Sequence, residues 1–127
     1  MRKIPMQNVV GIGTDIVELE KISRYSNKKS FLNKVFTKNE IEYAKSKKNK
    51  IPHLATAFAA KEAVFKALGT GWINPKDIEI IRNKKGKPKA VISGDLKKYL
   101  KNKNVMLTLS YSNHYAVAFA VIKKEDK

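Results

Sequence analysis

Residues 52–68 read PHLATAFAAKEAVFKAL, and the rest of the chain has to be arranged around them. Ala55, Ala57, Phe58, Ala59, Ala60, Ala63, Val64, Phe65, Ala67 and Leu68 leave almost no polar face. A helix that is apolar nearly all round is a buried helix, so other elements must pack on it from several sides. The spacing predicts a helix from about Pro52 to Leu68, begun by proline's fixed φ and stopped by Gly69 and Gly71. Three charges interrupt it. Leu54, Phe58, Lys61, Phe65 and Leu68 follow i, i+3/i+4 spacing, which puts Lys61 on a core-facing stripe. Glu62 and Lys66 lie one turn apart on a shared face. A buried charge is costly unless it is paired or meets a bound charge. Two readings therefore stand: a Glu62–Lys66 ion pair with Lys61 snorkelling to the surface, or a site for a charged ligand.

The segment VVGIGTDIVEL, Val9–Leu19, predicts a strand that runs into a short helix over Glu18–Tyr25. Alternation places Val9, Gly11, Gly13, Asp15 and Val17 on one face. Gly11 and Gly13 leave the backbone beside Asp15 unshielded, which invites close approach by a ligand or another chain. Asp15 needs a partner there: a backbone donor, a lysine or a cation. Asp15 and Glu62, taken with the helix lysines, match a Mg²⁺ and phosphate site. Mg²⁺ is usually held by one or two carboxylates, waters and substrate phosphate oxygens, and lysines meet the remaining charge as compact cations.

Elsewhere, Ser30–Phe36 is weakly amphipathic, and Thr37-Lys38-Asn39-Glu40 fits a capping box that starts a helix running to about Lys45. A lysine-rich loop covers Lys45–Lys50. Asp77–Arg82 and Pro88–Ile92 predict a hairpin around Gly86, Asp95–Lys101 a short helix, and Val105–Tyr111 with Tyr115–Ile122 a second hairpin. Residues 1–7 and 123–127 are expected to be frayed ends of one domain spanning 1–127. The fold class is α+β, a small antiparallel sheet packed on the long helix.

The 127 residues contain no cysteine, which excludes a disulfide scaffold, a thiolate metal site and a cysteine nucleophile. No apolar run approaches the ~18 residues of a membrane span, and no signal h-region follows Arg2 and Lys3. A cytosolic protein without a membrane partner is expected. The net charge is +16, and only Arg2, Arg24 and Arg82 are arginines. Part of this lysine excess can reflect genome composition; the rest suits an anionic partner. Gly11-Ile12-Gly13 lacks the third glycine of a dinucleotide fingerprint, and there is no P-loop. His53 and His114 read as surface or capping residues, and Ser110 and Ser112 lack a hydrolase context. A basic nucleic-acid-binding module is the alternative function. It explains the charge but not the charges inside an apolar helix, and basic–aromatic interleaving is missing.

GIGTDIVELEKI, FAAKEAVFKALGTG, DIEIIRNKKGKP and LSYSNHYAVAFAVI, in that order, resemble the holo-acyl-carrier-protein synthases, small 4′-phosphopantetheinyl transferases. The resemblance runs from about Val9 to Ile122. It implies transfer of 4′-phosphopantetheine from coenzyme A to a serine of an acidic apo acyl carrier protein, with no nucleic acid involved. It further implies Mg²⁺ on Asp15 and Glu62, catalytic roles for Glu62 and Lys66, and coenzyme A contacts from Lys61, Lys66, Gly69, Gly86, Pro88 and Tyr111. The general base is Glu62 or a metal-held water. The implied assembly is a homotrimer of pseudo-twofold units with active sites between subunits. Two positions depart from the family pattern: Ala57 stands where arginine is usual, and Tyr111 where histidine is usual, so that His114 could supply an imidazole only through a rearranged turn.

Overall fold

The structure, a computed structural model, describes residues 8–125. Strand β1 (Val9–Glu18) leads directly into helix α1 (Leu19–Ser26), followed by α2 (Lys29–Val35), α3 (Lys38–Lys45) and the long α4 (Lys50–Leu68). A 3₁₀ turn at Pro75–Asp77 precedes the hairpin of β2 (Ile78–Arg82) and β3 (Pro88–Ile92). A second 3₁₀ segment, Gly94–Leu100, leads to β4 (Lys103–Tyr111) and β5 (Tyr115–Lys124).

The α+β class holds, with two antiparallel sheets instead of one: β1-β5-β4 and β2-β3. The first strand pairs with the last, Asp15 opposite Ala118 and Gly13 opposite Ala120. On the inner face, β1 offers Gly11 and Gly13 and β5 offers Ala116, Ala118 and Ala120. These small residues let α4 lie unusually close. A Cβ on Gly13 would stand 2.1 Å from the Ala63 carbonyl oxygen, and one on Gly11 2.1 Å from that of Ala67. The open backbone at the two glycines thus serves this chain's own helix, correcting the expectation of a ligand or a second chain. The other sides of α4 pack against α1, α3 and β2, so the helix is enclosed as its composition requires.

Several boundaries differ from those expected, mostly by one or two residues. Helix α4 starts at Lys50, two residues before Pro52, because Asn49 caps it by accepting from the Ile51 N–H. Gly94–Leu100 is 3₁₀ rather than α. Lys123 and Lys124 are not frayed: both pair within the sheet, and the Glu125 N–H donates to the Asn102 carbonyl. The expected tails at 1–7 and 126–127 lie outside the described residues.

Candidate active site

Where β1 crosses α4, the chain brings Asp15, Glu62 and Lys66 together. Lys66 Nζ donates to Asp15 Oδ1 at 3.2 Å and to the Thr14 carbonyl at 3.1 Å. The helix lysine therefore pairs across to the strand, and no Glu62–Lys66 ion pair forms among the described residues. Burial foremost, then the neighbouring Asp15 carboxylate, pushes the Glu62 carboxyl above its ordinary range; Lys66 and Lys21 oppose this. The two carboxylates make a hard-oxygen donor set suited to a cation. No group of three or more candidate ligands exists among the described residues, so a cation here would complete its shell from substrate or water.

Lys61 is corrected. Its side chain is fully buried, and its three donors go to Glu40 Oε1 at 2.8 Å, the Pro75 carbonyl at 2.8 Å and the Ile78 carbonyl at 2.7 Å. Burial lowers its pKa, and the Glu40 charge works against that. Glu40 is the far end of the capping box, accepting from the Thr37 N–H, and its Oε2 accepts from the Ile80 N–H at 2.7 Å. With every donor taken inside the core, Lys61 does not snorkel and keeps no donor for a ligand. It ties α3 and α4 to the start of the β2–β3 hairpin.

The remaining expected residues lie apart. Gly69 caps α4 in the left-handed conformation, φ 74°. Gly86, at φ 85°, turns the exposed β2–β3 hairpin, and Pro88 opens β3 beside a cavity of about 440 Å³ shared with Val105 and Met106. Tyr111 sits near the other end of α4. It lines a cavity of about 670 Å³ with Lys47, Lys48, Asn49 and His53. His53 and Glu62 are nine residues apart on α4, roughly 13 Å of helix, so one chain does not gather these residues into one pocket.

Sequence reasoning also misplaced His53. Instead of a surface or capping position, its ring stands half-buried, edge-on between Tyr43 and Tyr111, with centroids at 5.6 Å and 5.8 Å. Arg82 lies over the Tyr43 ring and donates to Thr56 Oγ1 at 2.6 Å, one residue from Ala57. His114 stays exposed in the β4–β5 turn, its carbonyl accepting from the Leu19 N–H. The imidazole beside Tyr111 thus comes from α4, a pairing that no local pattern signals.

The model of the 4′-phosphopantetheinyl transferase superfamily matches residues 11–120. The chain belongs to that superfamily. A holo-[acyl-carrier-protein] synthase of Protochlamydia amoebophila is 46% identical over 117 residues, covering 88% of this chain and 96% of the relative. Another, from Clostridium botulinum, is 45% identical over 118 residues, covering 89% and 96%. Among solved structures, the Bacillus anthracis holo-(acyl-carrier-protein) synthase in complex with CoA (3′,5′-ADP) superposes with a TM-score of 0.79 at 35% identity, covering 92% of this chain and 98% of that one. The Neisseria meningitidis enzyme gives 0.83 at 33% identity, covering 91% and 99%. The chain is a phosphopantetheinyl transferase of the holo-acyl-carrier-protein synthase kind, and its fold is theirs.

Proposed function

We propose that this protein transfers 4′-phosphopantetheine from coenzyme A to a serine hydroxyl of apo acyl carrier protein, releasing adenosine 3′,5′-bisphosphate. The observation that carries the reading is the Asp15–Glu62–Lys66 cluster: two acids and one cation, held by a strand and a helix locked together through Gly13 and Ala63. Asp15 and Glu62 would hold Mg²⁺, which would supply positive charge to the pyrophosphate. Lys66, more than half exposed, can leave Asp15 and meet a phosphate oxygen, neutralising charge that develops on the leaving nucleotide. Its contribution is positioning and electrostatics. The serine proton would pass to Glu62 or to a water held by the cation, the two candidate bases.

The assembly is part of the same proposal. The outer face of the β1-β5-β4 sheet is exposed and apolar: Ile12 at 63%, Ile16 at 62%, with Val10, Met106, Val117 and Phe119. Exposed apolar side chains gathered on one face, here interspersed with Thr14 and Thr108, mark an interaction surface. A homotrimer that covered it could also bring the Gly86–Pro88 hairpin or the Tyr111 cavity of one copy to the Asp15–Glu62 pair of another. The surplus of lysines suits the acidic carrier. No described helix is long and apolar enough to cross a membrane.

The test is incubation with coenzyme A, Mg²⁺ and an apo acyl carrier protein, reading the carrier's mass. A gain of one phosphopantetheine per carrier, lost on chelation of the metal, is expected; an unchanged carrier mass refutes the reading. Sedimentation of the same sample reads the trimer.

A further inference from the structure

The cavity at the N-terminal end of α4 contains a side chain that the proposed reaction has not used. His53 lines it beside Tyr111, with Lys47 and Lys48 supplying positive charge. The ring packs edge-to-face on Tyr43 and Tyr111, with interplanar angles of 80° and 71°. Its Nδ1 is buried and has no hydrogen-bond partner among the described residues. A position needed only for packing would be served better by phenylalanine, which makes the same edge-on contacts without stranding a polar atom. The imidazole thus leaves one nitrogen buried and unpartnered where phenylalanine would leave none, and its other nitrogen is the one that can serve a ligand.

The tautomer follows from the same atom. An unpartnered buried acceptor is tolerated better than an unpartnered buried N–H, so the proton belongs on Nε2 and the bare lone pair on Nδ1. Burial foremost, then Arg82 and Lys47, hold the imidazole below its ordinary range, so the ring is neutral and Nε2–H is its one donor.

We propose that His53 is a binding residue for coenzyme A, its Nε2–H donating to a phosphate oxygen of the nucleotide half seated in the cavity of Tyr111, Lys47 and Lys48. This rests on the transferase reading above. The Arg82–Tyr43–His53–Tyr111 series draws one residue from each of β2, α3, α4 and β4, which fixes the ring before ligand arrives.

The test compares wild type, His53→Phe and His53→Gln in three measurements: thermal melting, calorimetric binding of adenosine 3′,5′-bisphosphate, and steady-state kinetics with coenzyme A. His53→Phe should melt at or above the wild-type temperature. Its affinity for the bisphosphate should fall about tenfold, the worth of one hydrogen bond. KM for coenzyme A should rise in step while kcat stays within about twofold. His53→Gln, whose side-chain amide N–H can stand near the place of Nε2–H, should recover most of the affinity. A bisphosphate affinity in His53→Phe within about threefold of wild type overturns the proposal. So does a marked loss of melting temperature in that variant, which would make the imidazole structural. If wild type itself leaves the apo carrier unmodified, the transferase reading fails; an active wild type with an unaltered His53→Phe defeats the role of His53 alone.

Discussion

Lys61→Met separates two roles that the sequence left open for the lysine beside Glu62. Methionine keeps the length and most of the volume of the stem and removes only the ammonium. In the folded chain Lys61 has no solvent exposure, and its loss strands the Pro75 and Ile78 carbonyls together with the Glu40 carboxylate, itself only 4% exposed. Glu40 keeps the Thr37 and Ile80 N–H donors, which satisfy it in part. Removing one partner of a buried ion pair costs about 3–5 kcal/mol, because the other charge is left uncompensated. For a chain of this size that corresponds to a fall in melting temperature of roughly 10–20 °C.

Thermal unfolding at matched protein concentration measures the loss. The double variant Lys61→Met/Glu40→Gln supplies the control: it removes the stranded charge while an amide oxygen can still accept from a backbone N–H, so part of the loss should return. A Lys61→Met variant melting within about 3 °C of wild type would refute the assignment of Lys61 to the core. If that variant also lost affinity for coenzyme A, the lysine would return to the ligand contacts expected from its position in the motif.

Three further outcomes follow from the same geometry. Gly13→Ala would set a methyl 2.1 Å from the Ala63 carbonyl oxygen and 2.7 Å from the Ala67 nitrogen, both backbone atoms; denaturant titration should show a loss at or above the usual overpacking cost of about 1–3 kcal/mol, and transfer should fall with it as Asp15 shifts. Lys66→Met breaks a mostly exposed ion pair worth about 0–1 kcal/mol, so melting should barely change while kcat/KM for coenzyme A drops by about 10²–10³. In Glu62 the folded carboxyl sits above its ordinary value of 4.5. The folded state therefore holds more protons than the unfolded one from that value upward, and stability declines as pH rises through the window and stays lower beyond it. Glu62→Gln should flatten that part of a melting-versus-pH series and melt higher at neutral pH, and added Mg²⁺ should raise the melting temperature of wild type but not of this variant.

The enclosure of α4 was legible because twelve of the seventeen positions from Pro52 to Leu68 are apolar and spread almost all round the helix, and the capping box at Thr37–Glu40 because its chemistry is local. Asp15 and Glu62 were legible as acids set in apolar surroundings. What stayed hidden is in each case a contact between distant segments. Glu40 completes a helix cap and also neutralises Lys61, twenty-one positions away on another helix, and no spacing rule connects them. The pairing of the first strand with the last has no turn to announce it. His53 looked ordinary because the aromatic neighbours that bury it, Tyr43 and Tyr111, belong to α3 and β4.

The two lysines of α4 differ in what the helix turns them toward. Lys61 and Lys66 are five residues apart, about 140° around the helix, whereas Glu62 lies about 40° from Lys66. One face therefore carries Lys61 inward to Glu40 and the hairpin carbonyls, and the adjoining face carries Glu62 and Lys66 toward Asp15. Rotating the helix far enough to free Lys61 would break three buried bonds and swing Glu62 away from Asp15 at the same time. The close seat of Ala63 on Gly13 blocks that rotation from the sheet side. The buried pair and the glycine contact together fix the angle at which the acids meet, and a rigid element under both the Lys61–Glu40 pair and the two acids is what the proposed site, built on charge placement, requires.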